Sequence, residues 1–382
     1  MEMDMDILTH MLGQMLVIGF EGKNIHDPWP ALLQQQIRDG QVGNIILFSH
    51  NIESPSQVSK LNHALKAAAG NGVPLGIAID QEGGKVQRMR KSNGFTNYMS
   101  PQEYAQEPST VRYQAAFRMA MELNECGVNI NLAPSVDLHS MDSKIIGQLG
   151  RSFGERPEQV VEATVDFVDG HRDAGVVTCL KHFPGHGYAI GDSHEGWVDV
   201  TQTAHVDELT PFADLIRQNK VDMIMTAHVF NRKYDEMHPA TLSPNVIRTL
   251  LREQMGYDGV VIGDDLHMGA ILLKYTLPEA IVLALQAGCD MLIFSNNPLA
   301  APGVKDFAPD PDLPARFHAI VRQALDDGRL YYEQIVESYQ RIVKLKERLR
   351  NNPLFKNDAH STRDAHSSDR GMVSNNNASK EL

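Results

Sequence analysis

The chain is short of cysteine and of positive charge, and it has no long apolar run. Its 382 residues include three cysteines, and Lys and Arg total 35 against 48 Asp and Glu, a net charge of −13. That balance argues against nucleic acid or an anionic membrane surface as the main partner. Cys126, Cys179 and Cys289 are far apart, odd in number and set in apolar runs. They fit reduced, buried thiols, not a disulfide framework or a Cys-ligated zinc site. No Gly-x-Gly-x-x-Gly follows the first apolar run, so a dinucleotide site has no support. The opening Met1-Glu2-Met3-Asp4-Met5-Asp6 is acidic where a secretory leader is basic. The first apolar stretch, Met15 to Phe20, is too short for a leader core or a membrane span. A cytoplasmic protein is expected, with no membrane partner.

What the sequence does have is rhythm. Eight short runs rich in Val, Ile and Leu recur: Leu16–Phe20, Asn44–Phe48, Leu75–Ile79, Val128–Leu132, Val176–Leu180, Asp222–Met225, Gly259–Ile262 and Asp290–Phe294. They do not alternate apolar with polar, so they read as strands buried on both faces of a parallel sheet. Helix patterns lie between them. Ser54-Pro55 opens one, with Val58, Leu61 and Leu65 on its face and Gly70 at its close. Pro157 starts a second, backed by Val160, Val161 and Val165 and followed by Gly175. Pro278 starts a third that ends at Gly288. Proline just inside the start and glycine just past the end follow from their backbone limits. The fold class expected is α/β, a single (β/α)8 barrel over residues 1–350, with a doubly wound open sheet as the alternative. From 351 to 382 the chain turns Asn-, Ser-, Asp- and His-rich, and a disordered polar tail is expected there.

In such a barrel, chemistry sits at the C-terminal ends of the strands. Six of the eight runs are followed by polar groups: Asp80-Gln81-Glu82-Gly83-Gly84; Ala133-Pro134 and then Asp137; Lys181-His182-Phe183-Pro184-Gly185-His186-Gly187; Thr226-Ala227-His228; Gly263-Asp264-Asp265; and Ser295-Asn296-Asn297. Three groupings stand out. Lys181 and His182 open a Gly- and Pro-rich loop that carries Asp192-Ser193-His194, where a carboxylate two residues before an imidazole orients the ring and raises its basicity. A metal set of His182, His186, Asp192 and His194 is an alternative there, although Pro184 and Gly185 break any helix that would align its members. Asp264 and Asp265 are adjacent carboxylates at a buried strand end, which is costly without a purpose. Asp264 reads as a nucleophile or base, and Asp265 reads better as a helix N-cap. Asp80 with Arg88, and Arg151 within Gly150-Arg151-Ser152-Phe153-Gly154, offer a carboxylate for sugar hydroxyls and forked donors, or else structural ion pairs. Tyr188, Trp197 and Phe230 offer apolar faces to a sugar ring, or simply pack.

These stretches, together with Gly13-Gln14-Met15-Leu16, Val86-Gln87-Arg88 and Ala287-Gly288-Cys289-Asp290-Met291, resemble the single-domain β-N-acetylglucosaminidases of glycoside hydrolase family 3, the peptidoglycan-recycling type. The block from Lys181 to His194 is the most specific of them. The resemblance implies a TIM barrel that releases β-linked GlcNAc with retention. It implies Asp264 as nucleophile and His194, paired with Asp192, as acid/base. Asp80, Arg88, Arg151, Lys181 and His182 match positions that bind the terminal GlcNAc. Departures fall at Met141-Asp142-Ser143-Lys144, at Tyr188-Ala189-Ile190-Gly191 and at Glu195-Gly196-Trp197, and they bear on the aglycone. The expected substrate is an anhydro-muropeptide or another small carbohydrate, acted on by a monomer with no cofactor and no metal. A phosphorylase on the same site and a metal-dependent barrel hydrolase are the alternatives.

Overall fold

The structure, a computed structural model, describes residues 5–350. All eight apolar runs are strands: β1 (Leu16–Ile18), β2 (Asn44–Leu47), β3 (Gly76–Ile79), β4 (Ile130–Asn131), β5 (Val177–Phe183), β6 (Met223–Thr226), β7 (Val260–Gly263) and β8 (Met291–Phe294). Each pairs in parallel with its neighbours in sequence. β8 returns to β1, Leu292 opposite Leu16, so the sheet closes. Every residue of these strands is buried, because a barrel strand faces packed side chains inside and helices outside. The described residues form a single (β/α)8 barrel. The expected tail, 351–382, lies outside the described residues.

The helix signals act as read. Ser54 caps α1 (Pro55–Ala68), its hydroxyl accepting the Gln57 N–H at 3.2 Å. α2 (Pro157–Asp173) buries Val160 and Val161. α3 (Leu277–Ala287) stops at Gly288, whose φ of 110° few other residues adopt. Cys126, Cys179 and Cys289 are free and buried. Among the described residues no helix is long and apolar enough to cross a membrane.

The N-terminal end of the barrel is held by a repeated device. A polar residue at or just before the start of each even strand bonds the backbone of the odd strand before it. Asn44 Nδ2 donates to the carbonyls of Gln14 and Leu16 at 2.7 and 3.1 Å. Asn129 accepts the Ile77 N–H at 2.7 Å and donates to the Leu75 carbonyl at 2.9 Å. Asp222 accepts the Thr178 N–H at 3.0 Å, and Asp290 accepts the Val261 N–H at 2.8 Å. Buried backbone groups need partners, and these side chains supply them where the ladder begins. The two aspartates are balanced from outside the barrel, Asp222 by Arg172 and Arg348, Asp290 by Arg252 and Arg341. The C-terminal helix α4 (Tyr332–Arg350) then closes this end. Its buried Lys346 donates to Gln14 Oε1 at 2.7 Å and to the carbonyls of Gly43 and Pro74 at 2.8 and 3.0 Å.

Replacing Asp290 by Ala takes a carboxylate from Arg252 and Arg341 and leaves the Val261 N–H without its acceptor. Removing one partner of a buried pair costs about 3–5 kcal/mol. Urea unfolding of D290A should show a midpoint lowered accordingly, and a midpoint equal to that of the wild type would mean that water replaces the carboxylate.

Candidate active site

The polar groups expected at the C-terminal strand ends are there. After β3 the segment Gln81–Gly83 folds back on Val86–Gln87 as an antiparallel ribbon. Gly83 and Gly84 permit the turn, with φ of 101° and 57°. The Gln81 side-chain oxygen accepts the N–H groups of Arg88 and Met89 at 3.0 and 3.1 Å. The ribbon so returns Arg88 to Asp80, with its guanidinium 3.1 Å from Oδ2 and 5.7 Å above the Phe48 ring.

β5 supplies Lys181 and His182. Between Leu180 and Phe183 it carries one residue more than β6 beside it, and such a bulge re-aims side chains. Lys181 Nζ stands 2.9 Å from Asp80 and 2.7 Å from Glu82. Glu82 takes both prongs of Arg151 at 2.8 Å. The result is a line of alternating charge, Arg88–Asp80–Lys181–Glu82–Arg151. Burial alone would raise both carboxyls. Lys181 and Arg88 outweigh it at Asp80 and hold that group far below the ordinary range. Arg151 and Lys181 hold Glu82 at about 2. Lys181 loses by burial but gains more from its two carboxylates and is raised.

His182 is fixed by Asp137, Nδ1 to Oδ2 at 2.6 Å, so Nδ1 carries the proton toward the carboxylate. Asp137 also accepts the N–H groups of His182 and His186 at 3.2 and 2.7 Å. Burial pushes Asp137 up, but His182 pulls it well below the usual carboxylate range.

At the end of β7, Asp264 is half-buried and accepts the Asp265 N–H at 2.7 Å. Burial raises Asp264, yet the rings of His228 and His182 and that N–H bring it below the ordinary value. Asp265 points the other way. It accepts the N–H groups of Ser295 and His267 at 3.0 and 3.1 Å, and burial pushes it up to about 6. Its carbonyl meets His228 Nε2 at 2.9 Å, a contact that requires the proton on Nε2. Asp265 thus ties the turn to β8, the structural part expected of it, through a different set of N–H groups from a helix cap.

On the loop after β5, Asp192 Oδ1 accepts both the His194 ring Nδ1–H at 2.8 Å and the His194 backbone N–H at 2.9 Å. Burial would raise Asp192, and these two bonds lower it. Opposite, Ala270 N–H donates to the Ser193 carbonyl at 3.0 Å, seating the loop tip on the turn after Asp264.

Asp80, Arg88, His194 and Asp264 line one cavity of about 220 Å³, with Phe48, Met225, Met268 and Leu299 among its walls. The other expected residues bond to these or to carboxylates nearby. Asp192 holds His194, Lys181 holds Asp80, His182 is held by Asp137, and Arg151 is spent on Glu82. Three supporting side chains lay outside the sequence-level set: Glu82, Asp137 and His228. Each follows a strand in the sequence, and their roles show only in their partners. The aromatic candidates pack. Trp197 lies against Phe230 at 4.9 Å with Lys274 Nζ 3.2 Å from its ring, and Tyr188 lies against His205. Among the described residues no group of three or more His, Cys, Asp or Glu is placed to hold a metal ion.

Residues 7–345 match the family model for the glycosyl hydrolase family 3 N terminal domain. The chain is 36% identical over 342 residues to a β-hexosaminidase of Alkalilimnicola ehrlichii, covering 86% of this chain and 92% of that one. It is 37% identical over 285 residues to a β-hexosaminidase of Tolumonas auensis, covering 72% and 82%. Among solved structures, a glycoside hydrolase family 3 β-N-acetylglucosaminidase from Paenibacillus sp. str. FPU-7 superposes with a TM-score of 0.79 at 35% identity. The match covers 90% of this chain and 62% of that one, so this chain spans about three fifths of its length. A β-N-acetylhexosaminidase from Beutenbergia cavernae gives 0.78 at 26%, covering 89% and 98%.

The depressed Glu82 predicts acid sensitivity. Its folded value lies below the ordinary 4.5, so its stabilisation is complete above about pH 4.5 and is lost as pH falls toward 2. Melting temperatures should drop steeply over that interval. In E82Q, which cannot titrate there, the starting value should be lower and the drop shallower. Parallel curves would show that the pairing with Arg151 and Lys181 adds nothing to stability.

Proposed function

Because the chain belongs to glycosyl hydrolase family 3 and is a glycoside hydrolase of the β-N-acetylhexosaminidase type, we propose that it removes terminal β-linked GlcNAc from anhydro-muropeptide fragments of peptidoglycan, in the cytoplasm. One observation carries the mechanism. Asp264, ionised, and His194, braced on Nδ1 by Asp192, line the same small cavity as Asp80 and Arg88. A single terminal sugar fits a space of this kind, with Asp80 accepting from its hydroxyls and Arg88 donating to them.

The reaction is a double displacement. The Asp264 carboxylate attacks the anomeric carbon while His194 Nε2 delivers a proton to the departing oxygen. The C–O bond to the aglycone breaks and a glycosyl-Asp264 ester forms. Water then attacks the same carbon, His194 takes its proton, and Asp264 leaves. Two inversions give net retention. Asp192 stabilises the imidazolium when His194 is protonated and fixes the tautomer that leaves Nε2 free for the leaving group. Asp265, bonded through its N–H to Asp264 and through its side chain to Ser295 and His267, holds the nucleophile in place.

The purified protein, given p-nitrophenyl β-GlcNAc with and without phosphate, should release nitrophenol and free GlcNAc at a phosphate-independent rate, the first sugar product being the β-anomer by NMR. D264N should lose about three orders of magnitude or more in kcat. GlcNAc-1-phosphate as product would replace the hydrolase with a phosphorylase. An active D264N would remove Asp264 as the nucleophile. Release of GlcNAc from an anhydro-muropeptide tests the aglycone separately.

A further inference from the structure

The loop that carries Asp192 and His194 is anchored by a carboxylate that lies outside the loop. Glu208 sits in the turn Val206–Leu209, ahead of the helix Thr210–Arg217, and is 4% exposed. It reaches back to the loop's first residues. Oε1 accepts the Gly187 N–H at 2.8 Å and the Tyr188 N–H at 3.4 Å, and Oε2 accepts the His205 N–H at 3.2 Å. The chain is pressed against it. A Cβ on Gly185 would stand 2.5 Å from Glu208 Cβ, and one on Gly187 would stand 2.0 Å from the Leu138 carbonyl on the other side. Asp137, next to Leu138, takes the preceding N–H, that of His186. Three consecutive amides, 186 to 188, therefore end on two buried carboxylates.

The cost of this arrangement sets Glu208 apart from a packing residue. Among the described residues no Lys or Arg pairs with it, and burying a carboxylate without a cation is expensive. Desolvation and the nearby Asp137 charge push it up to about 7. The backbone N–H groups that it accepts are what the site gains in return. They fix the point at which the loop leaves the barrel. The loop's tip is fixed by Ser193 on Ala270, and its far end by Val198–Asp199 pairing with Val229–Phe230.

We propose that Glu208 is a positioning residue for proton transfer: by fixing the amides of Gly187 and Tyr188 it sets where His194 stands over the cavity that Asp264 lines. This inference rests on His194 being the acid/base. It makes a demand that a purely structural role does not. A leaving group that needs a proton should suffer when Glu208 is changed, and one that needs none should not.

The test compares kcat/KM, which reports the first displacement, on 2,4-dinitrophenyl β-GlcNAc and on a β-1,4-linked GlcNAc disaccharide. H194G is the reference, and melting temperatures are recorded for every variant. E208Q should lower the disaccharide rate by about tenfold or more, as expected when general acid catalysis is impaired, and should spare the dinitrophenyl substrate to within about threefold. In the H194G background E208Q should add nothing on the disaccharide, because coupled residues are not additive. If E208Q does not fold, E208D, which draws the carboxylate back by one methylene, is read in the same way. If H194G itself shows no split between substrates, the acid/base assignment fails. If H194G shows the split but the Glu208 variants lower both substrates equally, or neither, Glu208 does not position the acid.

Discussion

Three loops of this barrel meet because two buried carboxylates cannot remain ionised without the cations between and beside them. Asp80 and Glu82 come from the end of β3, Lys181 from β5, and Arg151 from the long connection after β4; Asp80 and Lys181 are 101 residues apart in sequence. Removing a charged group from water costs several kcal/mol, and only close, well-formed pairing offsets it. Each inner member has two partners, so removing any one takes away part of the compensation on which its buried neighbours depend. Arg88, at one end of the line, comes out on the cavity beside Asp80. A ligand hydroxyl meets an acceptor and a donor there, both already held by the groups behind them. Arg151, at the other end, is consumed in holding Glu82.

The two ends of the barrel use carboxylates in contrasting ways. At the N-terminal end, Asp222 and Asp290 take one backbone N–H each and face arginines on the outer helices, so charge is neutralised where it is buried. At the C-terminal end, Asp137, Asp265 and Glu208 hold backbone amides and, among the described residues, form no ion pair with an arginine. Asp265 and Glu208 are raised, and Asp137 is brought down by His182. The first arrangement favours rigidity. The second places loops and rings where the chemistry needs them and draws on stability to do so.

The barrel was legible in the sequence because its signals are local. Apolar runs without alternation mark strands covered on both faces, and Ser54-Pro55, Pro157 and Gly288 mark helix ends whatever the rest of the chain does. The polar groups at the strand ends were legible for a similar reason, since the fold alone says where they must gather. What the sequence could not convey is which partner each of them takes. Lys181, His182 and Arg151 look alike in a motif, yet each is engaged by a different carboxylate 45 to 101 residues away. Glu208 carried a faint mark, four residues on from Ala204 within His205-Val206-Asp207-Glu208, where a glutamate three positions after a cap residue closes the turn on itself. Nothing in that pattern says that the same carboxylate also grips another loop.

The clamps at the N-terminal end have a consequence for how the barrel is partitioned. Asn44 ties β2 to β1, Asn129 ties β4 to β3, Asp222 ties β6 to β5, and Asp290 ties β8 to β7. These four side chains thus stitch the cylinder into two-stranded staves, while two of the joints between staves are bridged differently: β2 to β3 by Lys346, through the carbonyls of Gly43 and Pro74, and β6 to β7 by the Tyr257 hydroxyl, between the carbonyls of Asp222 and Val260. The β8–β1 joint is where the barrel closes, joining strands from opposite ends of the sequence. Opening the chain at one of the other three joints and linking its original ends would leave each of the four clamped pairs intact.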